Sequence, residues 1–435
     1  MIKSLLIPLL WLSAISIMAQ TDTPVKVKKE RLDFAKGYFE LGGTYFPSFT
    51  GKRLDNDQTV SFKNSESLHS TLYWGAFHFW GKAEFYVSFP LGKLNLQKSD
   101  ITDADFKHFA VTGARFYPWA IEEKKVRPFV GLSWSALEFT QIITDNDILP
   151  QFEKNIELGF DAGLVYNYKD FALRLSVNYL PNNEWSYPIS KTRFETIKTP
   201  DYGINLGLLY TTDFSKQNGN PRLNEKWNEY PTVSSLGYDS VTFGDVFVGI
   251  GPSISFSLES AKYNRNNFAY LNDKEASQSY FDIALGYQFN NWNMFSTISF
   301  RNPRFIREGF ETKQTVRKTS FVLEVNKFLT DYSGFAPYVG ANLAYDTINY
   351  EEKERDIIQK KLTFRSLEPG LTIGWDIVPG KTSEALILRT NLRWYPFSSF
   401  EVEGQKFNFS QLEYNLIQVL FYPERLLRSK KGKLF

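Results

Sequence analysis

A chain of 435 residues that combines 17% aromatic residues with a mean hydropathy of −0.32 is too rich in rings for an ordinary soluble protein and too polar for a bundle of membrane helices. Its 50 basic and 48 acidic residues are spread along the chain and leave a net charge of +2, so no field exists to draw it to nucleic acid. Cysteine is absent, which excludes disulfide frameworks, thiolate catalysis and cysteine-ligated metals, and with them a lipoprotein anchor near the N-terminus.

In chain order, the first element is a targeting segment at 1–19. Lys3 supplies a positive start, residues 5–17 an apolar core, and Met18-Ala19-Gln20 a cleavage region, with cleavage expected after Ala19. The alternative, a membrane anchor, needs roughly 20 apolar residues, and the polar run 21–30 follows directly. Residues 20–36 are then expected as an N-terminal periplasmic segment. No later window is long and apolar enough for a spanning helix, so a mature chain that crosses a membrane must do so as a closed barrel.

From Tyr38 onward the hydrophobic pattern has a period of two. Phe171, Leu173, Leu175, Val177 and Tyr179 alternate with Ala172, Arg174, Ser176 and Asn178, and residues 155–166 repeat the pattern with Leu158, Phe160 and Leu164 against Glu157, Asp161 and Gly163. About 16 such segments of strand length follow one another, an even number. They begin near Gly37, Ser70, Lys82, Lys107, Arg127, Asn155, Phe171, Asp201, Asp245, Ser279, Trp292, Lys318, Ala336, Lys361, Ala385 and Leu412. Connections at 80–82, 168–170 and 290–292 are tight, whereas 50–68, 181–200 and 258–278 are long and polar. Short turns on the periplasmic side and long loops outside are the mark of an outer-membrane barrel.

An internal repeat with a period near 210 residues relates two halves, 37–214 and 245–423. Residues 38–49 (YFELGGTYFPSF) parallel 245–256 (DVFVGIGPSISF), and 127–131 (RPFVG) parallel 336–340 (APYVG). Glu157-Leu158-Gly159 matches Glu368-Pro369-Gly370, and 202–210 (YGINLGLLY) matches 414–422 (YNLIQVLFY). A periplasmic linker at 215–244 separates the halves. The fold class is all-β, a transmembrane antiparallel barrel of about 16 strands built from a duplicated eight-stranded half. Two tandem eight-stranded barrels are the alternative: the many glycines at inward positions suit a narrow interior filled by side chains.

Candidate functional residues are the charged side chains expected to face the lumen: Glu40, Glu84, Arg115, Glu157, Asp161 and Arg174 in the first half, and Asp282, Glu324, Glu368, Arg389 and Arg393 in the second. Opposite charges in a confined polar interior pair, either as a salt-bridged plug or as the lining of a pore. No catalytic constellation is expected. Of the three histidines His69, His78 and His108, the first and last fall at outer strand ends where a barrel hydrolase would need a base. The acidic runs Asp100, Asp103, Asp105 and Asp145, Asp147 read as solvated loop charge because neither matches a full calcium loop. No cofactor is expected, and the tail 424–435 reads as a solvated basic end.

Each half, of about 180–200 residues, resembles the eight-stranded outer-membrane barrel domains common in Bacteroidetes, broadly OmpA-like in build. The resemblance is carried by YFELGGTYFPSF, by RPFVGLSW at 127–134 with RFYPW at 115–119 before it, and by the ending Met18-Ala19-Gln20. It implies a barrel in each half and supplies no shared active site; the chain departs from it by being doubled. The expected role is structural or accessory within an outer-membrane complex, with a porin-like diffusion channel as the alternative and a barrel hydrolase third. Expected partners are outer-membrane lipid, lipopolysaccharide and other outer-membrane or periplasmic proteins.

Overall fold

The computed structural model describes residues 36–55, 58–78, 81–96, 104–119, 121–141, 152–181, 183–213, 244–271, 276–290, 292–329, 335–377 and 385–425. The targeting segment 1–19, the linker 215–243, the tail 426–435 and Asp100, Asp103, Asp145 and Asp147 lie outside them.

The first half runs β1 (Lys36–Phe46), the short pair β2 (Phe49–Asp55) and β3 (Gln58–Asn64), then β4 (Ser67–His78), β5 (Ala83–Asn95), β6 (Ala104–Phe116), β7 (Val126–Gln141), β8 (Phe152–Tyr168), β9 (Phe171–Tyr179), a second short pair β10 (Glu184–Pro188) and β11 (Phe194–Lys198), and β12 (Tyr202–Asp213). Eight of these strands close into a barrel in the order β1-β12-β9-β8-β7-β6-β5-β4. Leu41 of β1 sits opposite Leu72 of β4 on one edge and Leu208 of β12 on the other. Both edges of β1 are therefore taken, and no open edge is left for a strand of the second half.

The second half runs β13 (Gly244–Ser257), helix α1 (Lys262–Asn267), β14 (Tyr280–Phe289), β15 (Met294–Arg301), β16 (Arg304–Gly309), β17 (Thr312–Phe328), β18 (Phe335–Glu354), β19 (Ile357–Ile377), β20 (Leu386–Tyr395), the hairpin β21 (Ser399–Val402) and β22 (Gln405–Asn408), and β23 (Gln411–Phe421). Eight strands again form a ring, β13-β14-β15-β17-β18-β19-β20-β23, with β23 pairing back onto β13. The two rings hold sixteen strands, but as tandem rings of eight and not as one ring of sixteen. The matched sequence segments fall on equivalent ring positions: β1 with β13, β7 with β18, β8 with β19 and β12 with β23.

Alternation decides which side chains meet lipid. On β9, Leu173, Leu175 and Val177 are exposed on the outer wall while Ala172, Arg174 and Ser176 are buried inside. The same division around both rings gives an outward apolar belt and a polar interior, with the ring backbone hydrogen-bonded within its own sheet, as a membrane-spanning barrel requires. Inward glycines let large interior side chains approach the wall. A Cβ on Gly163 of β8 would meet the Phe129 ring at 2.7 Å as well as the Leu175 carbonyl. We expect Gly163→Ala to lower the urea midpoint of the protein by an amount equivalent to about 1–3 kcal/mol, the usual cost of overpacking.

Two connections expected as long polar loops, 50–68 and 181–200, instead carry strands. β2, β3, β10 and β11 join in a four-stranded sheet, order β10-β11-β2-β3, over a cluster of Phe49, Phe62, Trp185, Tyr187 and Ile197. In the second half β17, β18 and β19 run for 17, 20 and 21 residues, well beyond the roughly 9–11 that span a bilayer. Their upper halves, with β16, form a blade whose inner face packs Phe305, Val316, Ile348 and Tyr350 against Phe400, Val402 and Phe407 of the β21–β22 hairpin. The 258–278 connection adds α1 to this packing. Tyr263 of α1 donates to Glu352 at 3.0 Å and accepts from Lys360 Nζ at 2.6 Å, and burial pushes its phenol above the ordinary range.

The rings touch each other. Phe85 of β5 lies against Trp375 of β19 with centroids 5.2 Å apart, and the Thr112 and Tyr414 hydroxyls are 2.9 Å apart. Val87, on the outer wall of β5, is only 8% exposed. Above the belt, Tyr270, Leu271 and Phe310 join the aromatic cluster of the first ring's four-stranded sheet, and Lys191 pairs with Glu354 at 3.2 Å.

Candidate functional site: two filled lumens

In the first ring the alternation places Glu40 of β1, Glu84 of β5, Arg115 of β6, Asp161 of β8 and Arg174 of β9 inside, all buried. Arg174 donates one guanidinium nitrogen to Glu40 and another to Glu84 Oε2 at 2.8 Å. β9 and β5 are four places apart in a ring of eight, so the Arg174–Glu84 pair crosses the full width of the lumen. Arg115 bonds Glu84 Oε1 at 2.8 Å and Asp161 Oδ2 at 3.1 Å, and its guanidinium lies 3.9 Å from the centre of the Tyr86 ring. The Tyr38 and Tyr117 hydroxyls donate to Glu84, and Tyr86 donates to Asp161 at 2.9 Å. Three carboxylates and two guanidiniums thus share one network, which is how charge is tolerated away from water: each member keeps a partner of opposite sign, and Glu84, Asp161 and both guanidiniums make several hydrogen bonds, whereas Glu40 is held by Arg174 alone.

The second lumen is filled by a longer column. Arg393 of β20 bonds Asp282 of β14 at 2.6 Å and Glu324 of β17 at 2.7 Å, both three places away around the ring. Higher up, Lys318 of β17 reaches Glu413 of β23 at 3.1 Å, a diametric crossing, and Asp346 of β18 at 3.1 Å. Arg301 of β15 pairs with the same Glu413 and donates to the Tyr395 hydroxyl of β20 at 2.8 Å, also across the ring. Toward the turns, Arg389 forms a two-pronged bond with Asp376 at 2.6 and 2.8 Å and lies 3.8 Å from the Phe295 ring centre.

The structure brings ten of the eleven sequence-derived candidates to buried lumen positions. Glu368 is buried on the second lumen wall near Lys318 and Asp346 but outside the ion pairs just described. Glu157 of β8 pairs through its backbone with Ser135 of β7, and its side chain lies outside the described residues. Sequence reasoning missed Asp245, Arg301, Lys318, Asp346, Asp376 and Glu413, although all sit at inward positions of the same alternation. It also misjudged Arg425, expected in a solvated tail. Arg425 is buried, bonds Asp245 at 3.0 Å and stacks on Tyr422 at 3.6 Å, because the chain after β23 turns under the lumen.

The nearest approach to a nucleophile and base among the described residues is Ser67 with His69, Oγ to Nε2 at 3.0 Å. Both are buried, His69 lies edge-on to Phe46 and Phe106, and neither atom opens to a substrate. No group of metal-ligating side chains is present among the described residues.

Two closed antiparallel rings with apolar belts and charge-filled interiors define an integral-membrane β-barrel protein with tandem eight-stranded units. No protein-family model matches the chain, and a search of curated proteins returns no match. Solved structures do show similarity. Neisserial surface protein A is 12% identical, with a TM-score of 0.29, over 41% of this chain and 96% of its own. Ail, the attachment invasion locus protein of Yersinia pestis, solved with the heparin analogue sucrose octasulfate, is 11% identical, with a TM-score of 0.28, over 42% and 99%. An outer membrane channel from Pseudomonas putida F1 is 10% identical, with a TM-score of 0.19, over 93% and 99%.

Proposed function

We propose that this chain is an outer-membrane protein of structural or accessory role whose two barrels are closed to solutes, and that it is not an enzyme. The carrying observation is that each lumen is spanned from wall to opposite wall by buried pairs, Arg174–Glu84 in one and Lys318–Glu413 in the other. A pore would present such charges to water along a continuous path; here Glu84, Arg174 and Lys318 have no exposed surface. Eight strands enclose only enough space for side chains, which agrees with this filling. The apolar belts, the tight turns at one end and the folded loops at the other support placement in the outer membrane of a Gram-negative cell, entered by way of the targeting segment. Equivalent positions of the repeated segments support origin by duplication of one eight-stranded barrel of the Bacteroidetes type. Contacts with other envelope proteins would use the folded extracellular loops.

The test is single-channel conductance of the refolded protein in planar bilayers. The expected record is silent or shows only small, brief flickers. Large, stable steps would overturn the closed-lumen reading and make the protein a diffusion channel.

A further inference from the structure

The outer wall of β15 to β19 carries a charge arrangement that a sheet should avoid. Register places Arg304 of β16 directly opposite Arg317 of β17, so the two side chains share the outward face with Cβ atoms roughly 5 Å apart. Like charges so placed destabilise a sheet. Neither side chain has a carboxylate or other polar partner among the described residues, and Arg304 Nε is buried with its hydrogen-bond capacity unused. Arg365 of β19, exposed and equally without a partner, lies on the same wall one outward row lower, opposite Thr347.

What lies beneath fixes the kind of anion. The next outward row toward the bilayer below Thr347 and Arg365 is Phe300, Phe321, Tyr345 and Leu367, aligned across β15, β17, β18 and β19 and 37%, 55%, 46% and 63% exposed. Three unpartnered guanidiniums thus sit at the upper border of the apolar belt. Two strand spacings and one outward row separate Arg317 from Arg365, so their backbones are roughly 12 Å apart, a span that two long side chains can close from either side. We propose that Arg304, Arg317 and Arg365 form a site for the phosphate of an outer-leaflet lipid, whose acyl chains lie on the aromatic row below. Guanidiniums suit this role because each offers paired donors to phosphate oxygens and is more weakly hydrated than an ammonium. The phosphate resolves the Arg304–Arg317 repulsion, and the apolar row gives the lipid, over free phosphate, its preference. The site needs only the lipid-facing wall, so the conductance result leaves it untouched.

Native mass spectrometry of the full chain in neutral detergent tests this with diacyl phosphatidic acid as probe and diacylglycerol of the same chains as control. Wild type is expected to retain phosphatidic acid over diacylglycerol. Arg304→Gln/Arg317→Gln should reduce that retention at least about tenfold, a loss of about 1.4 kcal/mol. Arg317→Glu supplies the check on folding: by placing a carboxylate opposite Arg304 it should raise the lipid-free melting temperature while abolishing the further rise that phosphatidic acid gives wild type. Equal retention by wild type and the double glutamine variant would overturn the site. Displacement of the lipid by millimolar inorganic phosphate would overturn the assignment to a lipid in favour of a free anion.

Discussion

Arg174→Ala is expected to unfold the first barrel at markedly lower denaturant than wild type, with a loss of about 3–5 kcal/mol, because it leaves the buried Glu40 carboxylate without its counter-charge and takes from Glu84 one of its two cations. Glu40 and Glu84 have almost no contact with solvent, and Arg174 bonds both. Arg115 still neutralises Glu84 in the variant, but Glu40 has no second cation within the described network. Urea titration in lipid vesicles, followed by aromatic fluorescence, measures the change. The decisive companion is Arg174→Met with Glu40→Gln and Glu84→Gln, in which neither charge remains to be stranded. This triple variant should recover most of the stability that Arg174→Ala loses, since an apolar or neutral filling of similar volume often matches a buried ion pair. If the triple variant is as unstable as the single one, packing volume and not charge is what Arg174 supplies.

The second large effect belongs to Arg393. Its guanidinium holds Asp282 and Glu324, both buried, from strands on different sides of the second ring. Arg393→Ala should therefore cost the second barrel a similar amount, about 3–5 kcal/mol, and Arg393→Lys should recover only part, because an ammonium cannot bond both carboxylates with a guanidinium's planar geometry. Arg174 and Arg393 stand in different rings and share no partner. The losses in Arg174→Ala/Arg393→Ala should then sum to within about 0.5 kcal/mol. A departure larger than that would mean that the two lumen networks are energetically coupled through the contact between the rings.

The sixteen ring strands were legible because period-two alternation held over whole segments, as in Phe171 to Tyr179, and could not be mistaken for a helix. The short strands were not. Trp185 and Tyr187 flank a single polar Ser186, and so brief an alternation within a polar stretch reads as loop. Which inward charges meet was also beyond the sequence, for a physical reason: periodicity tells that Arg174 and Glu84 point inward, whereas ring closure tells that they face one another. Closure itself turned on the second edge of β1, a long-range pairing that leaves no local signature. The opposition of Arg304 and Arg317 is nearer in sequence: it is set by the register of the β16–β17 hairpin across its Phe310-Glu311 turn. Lys318 and Glu413 were passed over although both are buried at inward positions of the same plain alternation.

The contact between the rings, Phe85 on Trp375 and Thr112 on Tyr414, has a consequence for assembly. Two separate barrels meeting in a membrane would have to find each other by lateral diffusion and displace annular lipid at a rate set by their abundance. Here a covalent tether holds each at an effective concentration in the millimolar range relative to the other, so even a weak seam stays shut. Stoichiometry is fixed at translation. No imbalance of expression can strand one barrel with a bare flank, and the pair reaches the membrane as a ready-made heterodimer.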